Sequence, residues 1–397
     1  MAGIGQIHYS GVIKPGNMYR LLDNSEISLP YRLAETEVGY SKGDFEIKTN
    51  SAFEYRWSNN ENELHLREAY ITWYPSWGEV KVGKQIHAWG AVDGNNPTDN
   101  LNPYDYYYMF LPGAERKVGT ISGSVKYYWN AWQMEGIFIP EHEENRFPFG
   151  EKAFPLDIPM FAPELIDVEP GSEFGFRVQS TLGSSDFSLS YFDGRDRSFS
   201  YVGVTDSMPS FFYRKTSVLG FDLVSFIGDF TNRFEIGYFS TENDAEVDIK
   251  TINDASYIQF AGQVEYSTEN NIMLSLQIIG NQISDSILYY SRATSIDGTI
   301  TEDDFQPGMG TPFASFTDLG LSFSASANYY DDALELMGNT FIDLKDSQSM
   351  LGASAKYSPM DNWKLILSFS KFMGEDGTQF HEMEDFSHLK VGLEFHF

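Results

Sequence analysis

The sequence predicts an all-β fold: a transmembrane, antiparallel, up-and-down β-barrel of about 18 strands, with 16 as the next count. Three observations lead there. Segments that alternate apolar and polar residues recur along the chain. The connections between them are short and long by turns. The last strand is apolar on one face and polar on the other to its final residue.

The alternation is clear late in the chain. Leu319, Leu321, Phe323, Ala325, Ala327 and Tyr329 share one face of a strand, and Gly320, Ser322, Ser324, Ser326 and Asn328 share the other. Leu334, Leu336, Gly338, Thr340 and Ile342 likewise oppose Glu335, Met337, Asn339, Phe341 and Asp343. Phe174, Phe176 and Val178 oppose Gly175, Arg177 and Gln179. Ile258, Phe260, Gly262 and Val264 oppose Tyr257, Gln259, Ala261, Gln263 and Glu265. Such strands run roughly 9 to 13 residues, enough to cross a bilayer at a tilt. Strands of soluble sandwiches are nearer five or six.

Strand-like segments begin near residues 3, 30, 43, 62, 77, 117, 130, 172, 185, 212, 230, 255, 270, 313, 332, 348, 361 and 384. Short connections fall at Ser41–Asp44, Pro75–Ser76, Asn130–Ala131, Gly183–Ser185, Gly228–Asp229, Ser267–Asn270, Asp331 and Pro359–Met360. The long ones, 14–29, 88–116, 141–171, 196–211, 242–254, 284–312 and 374–383, all fall on the opposite side. Short periplasmic turns and long outer loops are the asymmetry of bacterial outer-membrane barrels. Both termini are then periplasmic, which requires an even strand count. No repeat or linker divides the chain, so residues 1–397 are read as a single barrel domain.

Composition agrees. Among 397 residues are 32 Phe, 24 Tyr and 34 Gly, a mixture suited to strands, tight turns and aromatic girdles. There is no cysteine, which excludes disulfides, thiolate metal sites and a cysteine nucleophile. The formal charge of −30 excludes a nucleic-acid partner, because little would neutralise phosphates. In a barrel the acid belongs mainly in outer loops, where divalent cations bridge it to anionic lipid and lipopolysaccharide headgroups. Mean hydropathy is −0.33, and no stretch has the 18 or so apolar residues of a membrane helix. Met1-Ala2-Gly3 opens neither a basic nor an apolar leader, so a mature chain with an added Met is expected.

Leu389, Val391, Leu393, Phe395 and Phe397 form the apolar face of the last strand. Lys390, Gly392, Phe395 and Phe397 resemble the C-terminal insertion signal of bacterial outer-membrane barrels. The resemblance implies recognition by the barrel assembly machinery through Phe395 and Phe397.

A charge facing lipid at mid-membrane costs about 2–4 kcal/mol for Lys or Arg, so charged strand residues point inward or sit near a rim. Basic lumen candidates are Lys48, Lys81, Lys126, Arg177, Arg233 and Lys356. Acidic ones are Glu46, Glu135, Asp222, Glu235, Glu265, Glu335 and Asp343. They predict either a wet lumen with a transverse field or ion pairs that merely fill the barrel.

Two loops are too apolar to lie free in water. Loop 88–116 contains Trp89, Asp93, Asp99 and Tyr106, and its aromatic half, Tyr106 to Leu111, is expected to pack into the barrel mouth. Its Asp/Asn half offers oxygens to a hard cation, but the spacing does not fit an EF-hand, and no metal is assigned. Loop 141–171 carries Phe147, Phe149, Phe154, Leu156, Ile158, Met160, Phe161, Leu165 and Ile166 among prolines. It reads as a lid or plug, either purely structural or a greasy entrance for an amphiphile.

Four runs carry a second resemblance: Leu66-Arg67-Glu68-Ala69-Tyr70, Val80-Lys81-Val82-Gly83-Lys84-Gln85, Trp89-Gly90 with Asp93-Gly94, and Asn102-Pro103-Tyr104-Asp105. Together they resemble a family of Gram-negative outer-membrane barrels of uncharacterised function. That family has an R-E-x-Y strand, a V/L-G-R/K-Q strand, a W-G-x-x-D-G turn and an N-P-x-D loop, and is loosely similar to porins and alginate-export barrels. Lys84 stands where Arg is more usual, and Ala91 where Glu is common. The resemblance implies a transport barrel, in some members linked to hydrophobic compounds, without naming a substrate.

Enzyme signatures are poor. His142-Glu143 and His381-Glu382 lack the second histidine of a zinc helix, and there is no G-x-S-x-G elbow. No catalytic residue or cofactor is expected. The reading is an outer-membrane channel or transporter for small molecules, amphiphilic or hydrophobic compounds among them. The alternatives are a loop-closed receptor or structural barrel and, behind it, an outer-membrane hydrolase.

Overall fold

The computed structural model describes residues 5–155, 160–165, 171–246, 249–250, 252–288 and 305–397. Leu156, Ile158, Ile166 and most of loop 284–312 lie outside the described residues.

One antiparallel sheet closes on itself. It comprises 19 strand segments, of which the first two, Gln6–Ile13 and Gly16–Arg20, are pieces of one strand, leaving 18 in the barrel. Both pieces pair with the final strand His388–His396 in one continuous register: Val12 lies opposite His396 and Gly16 opposite Gly392. Pro15, which has no N–H to donate, marks the interruption. Gln6–Ile13 also pairs with Tyr31–Lys42, so first and last strands seal the ring. Consecutive strands pair throughout, as an up-and-down barrel requires. Every segment anticipated from the alternation is present, within a few residues of its expected start.

Turn chemistry fixes the short connections. Gly43, Gly183, Gly228, Asn130 and Asn271 all adopt positive φ, where glycine and asparagine are least strained. The short turns and both described termini share one rim, and the long loops share the other.

The outer wall is apolar. Leu66, Ile71, Val82, Ile121, Val125, Leu189, Leu219, Phe323, Leu351, Leu367 and Val391 point outward and are exposed. An apolar belt of this extent has no stable place in water, and it fits the lipid-facing band of a membrane barrel. Aromatics ring its turn-side edge. Trp73 lies 6.3 Å from Phe45 and 6.1 Å from Trp77, and Trp77 lies 6.3 Å from Tyr127. Further round, Trp363 packs 4.7 Å from Phe395, which stacks on Phe397. No helix among the described residues is long and apolar enough to cross a membrane.

One loop holds structure that the alternation did not foretell. Residues 200–212 form a hairpin, Ser200–Thr205 with Met208–Phe212, and Ile249–Lys250 adds a third strand. Its two-residue turn, Asp206-Ser207, has both φ values positive (50° and 67°), as a tight hairpin turn of matching twist needs.

Candidate functional site

The interior is where structure and charge meet, and the segment 86–119 dominates it. The strands on either side, Gly78–Gln85 and Thr120–Trp129, are short, and the chain between them turns into the lumen. Asn102 ties its stems together. The Asn102 carboxamide donates to the carbonyls of Gln85 and Val118, both at 2.9 Å, and accepts the His87 amide at 2.6 Å. That contact set accounts for the Asn102-Pro103 pair seen in the sequence.

From this anchor the segment crosses to the far wall. The Trp89 indole donates to Glu135 at 2.9 Å, and its ring packs with Leu101, Ile137, Phe192 and Phe239. Gly90, at φ +92°, passes so close to Glu235 that a Cβ would meet the carboxylate. Glu235 accepts the amides of Ala91 and Val92 and the Asn96 carboxamide, with no cation beside it. Asp93 accepts from Gln263, and the Asn95 carboxamide donates to Gln277. The W-G and D-G motifs are therefore the residues that lie against strands Phe230–Glu242, Ile252–Ser267 and Ile272–Leu288.

The tyrosine-rich half runs back along the opposite wall, where each ring meets a cation or another ring. Arg32 lies 3.9 Å from the Tyr108 ring centre, Arg146 4.7 Å from Tyr107 and Arg116 5.2 Å from Tyr104. Tyr106 packs 4.6 Å from Phe147. Behind these stacks, Arg146 pairs with Glu54 at 2.9 Å and Asp105 at 3.0 Å. Burial holds the Asp105 carboxyl above the ordinary range, and the two carboxylates hold Arg146 above its own.

Two further buried groups shape the stem. Burial depresses His87 to about 3, with Lys117, Lys81 and Lys126 adding repulsion, so the ring is neutral. Its Nε2 lies 2.9 Å from the Ser122 hydroxyl. Lys117 is fully enclosed, bonded to Asp99 at 2.5 Å and to the His87 carbonyl at 3.0 Å, and desolvation lowers its pKa.

The sequence candidates for the lumen fall into pairs. Arg177 pairs with Asp222 through both oxygens at 3.0 Å. Arg233 lies 3.4 Å from Glu265 and also donates to the Ala91 carbonyl. Lys126 lies 3.7 Å from Glu135, Lys81 3.4 Å from Glu79, and Lys48 2.8 Å from Glu37. Glu335 sits between Lys364 at 3.2 Å and Lys356 at 3.8 Å, while Glu46 accepts from Tyr74. Glu135, Glu235 and Asp343 are buried under loop atoms rather than open to the lumen. Asp343 caps its own loop, accepting the Lys345 amide at 2.8 Å and Gln348 at 2.6 Å.

Segment 141–171 is divided. Phe154 is buried, and Phe147 and Phe149 pack on Phe199 at 5.6 and 6.2 Å, forming an aromatic cluster at the loop rim. Phe161 does not join it and is 77% exposed. Arg32, Arg116, Arg146 and the buried pairs Arg197–Glu173 and Arg214–Asp196 were not among the candidates. All but Arg32 and Glu173, the first residue of its strand, lie in loops, where no alternation reveals which way a side chain points. A small polar cavity of about 20 Å³, room for a single water, lies where these loops meet, bordered by Asp99, Asn102, Tyr104, Asn145, Arg197 and Thr311.

The lumen is not filled throughout. Lys390 points inward from the last strand and is nonetheless exposed, as is Met337 three strands along the same row of that wall, so that side of the barrel is open to water.

No family model and no curated protein sequence matches this chain. Solved structures do. OccK5 (OpdH) of Pseudomonas aeruginosa superposes with a TM-score of 0.57 at 9% identity, over 98% of this chain and 97% of that one. A BenF-like porin of Pseudomonas fluorescens matches at 0.56 and 10% identity, over 98% of each. OccK11 (OpdR) of P. aeruginosa matches at 0.54 and 11%, over 98% and 95%. The chain has the fold of the outer-membrane porins. At these identities the likeness shows the architecture alone.

Proposed function

We propose that this chain is an outer-membrane channel for small molecules, narrowed by segments 88–116 and 141–171, with small amphiphiles as preferred solutes. The observation that carries the reading is the crossing itself. A segment leaves one wall, bonds to Glu235, Gln263 and Gln277 on the opposite wall, and leaves water beside Lys390. A loop built only to stabilise the barrel has no need to span the lumen. The porin fold of the neighbours supports a channel over an enzyme or a receptor. The aromatic cluster of Phe147, Phe149 and Phe199 beside the charged network supports a solute with an apolar and a polar end.

The short-turn rim and both termini face the periplasm in this reading, and the acidic loops meet lipopolysaccharide outside. Most lumenal charges are paired, with Lys390 facing the open side, so ion selectivity is weak. Planar-bilayer recordings test the proposal. Discrete conductance steps with a small reversal potential in a KCl gradient are expected. Silence would mean a closed barrel and sink the channel reading. A protease-cleavable tag at Gly150 should be cut on intact cells and one at Asp229 should not; the reverse would invert the orientation.

A further inference from the structure

The strand Asn62–Trp73 is paired along its length with Phe45–Tyr55. On its other side the ladder covers only Ala69–Trp73, opposite Val80–Lys84. Asn62–Glu68 is therefore an edge with no ladder on that side, roughly 20 Å long at a strand's rise per residue. The edge lies at the level of the apolar belt. Leu64 (72% exposed) and Leu66 (47%) point outward from it, and Ile121 (64%), paired with Lys84 in the last closed rows of the ladder, points outward at the corner of the notch. Hydrocarbon cannot satisfy backbone N–H and C=O groups, so such an edge must be covered or wetted from within.

Behind the edge lies a coiled stretch, residues 112–119, that includes a 3₁₀ turn at Gly113–Arg116 and a bridge from Lys117 to Tyr104. Among the described residues no backbone–backbone hydrogen bond joins that coil to Asn62–Glu68. From the lumen side it is held by Arg32, which donates to the Glu115 carbonyl at 2.7 Å, and by Asn102 and Asp99 at Val118 and Lys117, whereas the edge strand reaches it through one side chain. A bulge opposite Asn50/Ser51 turns Arg67 inward, where it pairs with Glu35 at 3.1 Å and donates to the Ala114 carbonyl at 2.8 Å. Gly119 packs directly on the Arg67 carbonyl, leaving no room for a Cβ.

We propose that this notch is a lateral opening through which a single-chain anionic amphiphile passes between lumen and membrane. Its chain lies between Leu66 and Ile121, and its carboxylate binds Arg67. The inference rests on the channel reading above. A carboxylate gives Arg67 a charge-assisted bond in place of the Ala114 carbonyl, which frees the stretch at Pro112 to Ala114 while Glu115 to Gly119 stay held from the lumen side. Gly113, at φ +53°, sits where the coil would swing.

The test uses the full-length chain in nanodiscs with a diazirine-bearing dodecanoate, label sites being read by mass spectrometry. KCl conductance is recorded in parallel. With no native cysteine, Leu66→Cys and Ile121→Cys are bridged by a long bis-maleimide diagonally over the corner of the notch, two strand spacings across and two to three residues along, about 13 Å. Label should concentrate on Leu64, Leu66 and residues 112–119. Bridging should cut label on 112–119 at least tenfold while conductance stays within twofold. Arg67→Gln should cut it without a bridge, and a dodecanol analogue should label far less. Label spread evenly around the belt, or undiminished on 112–119 after complete bridging, overturns the opening. Absence of conductance in the unbridged protein overturns the channel reading instead, and is scored separately from the labelling pattern.

Discussion

Glu235 accepts the Val92 amide at 3.0 Å, a contact between residues 143 apart in the chain. The carboxylate stands on the barrel wall, and the amide belongs to the segment that crosses the lumen. A wall carboxylate that receives two consecutive amides and a carboxamide acts as a fixed dock for a loop that would otherwise swing.

Glu235→Ala should undock that loop. Hydrogen bonds to a charged group contribute about 1.5–3 kcal/mol each, and removing the acceptor leaves the Val92 amide unsatisfied as well. Conductance should rise severalfold or flicker between levels, while heat-modifiable mobility stays normal because the strand ladder is untouched. A variant with unchanged conductance would show that the crossing does not limit flow.

Acid should undock the same segment through His87. Its pKa is about 3 in the docked state against an ordinary value of 6.5, so the docked segment binds fewer protons than a released one. Docking is therefore fully favoured above pH 6.5 and weakens as pH falls toward 3. At pH 5 the loss is roughly 2 kcal/mol. Asp105 works the other way, since its raised pKa favours the docked, protonated form in acid, so the His87 contribution is read as a difference from His87→Gln. Conductance should rise more between pH 6.5 and 5 in the wild type than in that variant. Equal pH profiles would assign the effect elsewhere.

The strands were legible because period two is a strong signal when one face meets lipid and the other water. Leu319 to Tyr329 shows it residue by residue, and the alternation of Ser41–Asp44-type turns with long loops gave the strand number. The interior was legible only in part. Arg177 and Arg233 followed from strand parity, but their partners Asp222 and Glu265 depend on register, which the alternation leaves open. Near the loop rim the rule itself fails. Tyr238 and Phe239 are both apolar because one faces lipid and the other faces the inserted loop. Asn102, Lys117 and Arg146 lie in coil, where composition suggests insertion and nothing gives direction.

The chain's end should govern assembly. Phe397 packs over Gly11 of the first strand and stacks on Phe395, so it closes the apolar face of the seam between first and last strands. Phe397→Ala should lower the assembled barrel severalfold in the outer membrane with synthesis unchanged. Full yield with normal heat-modifiability would reduce the terminus to an ordinary strand end.

Two of the four phenylalanines of segment 141–171 should separate lid from ornament. Phe147 touches Tyr106, Phe149 and Phe199, tying the segment to the tyrosine run that lines the opposite wall. Phe161 is exposed and belongs to no ring contact among the described residues. Phe147→Ala removes a partly buried aromatic, at a cost of about 2–4 kcal/mol to the local packing. It should raise permeation of bulky neutral solutes in liposome swelling. Phe161→Ala should leave small-solute permeation within error. If the aromatic cluster is an amphiphile's entrance, Phe147→Ala should also lower uptake of an alkyl glycoside while ion flow rises. If glycoside uptake and ion flow rise together, the cluster is a plain constriction and the amphiphile preference is wrong.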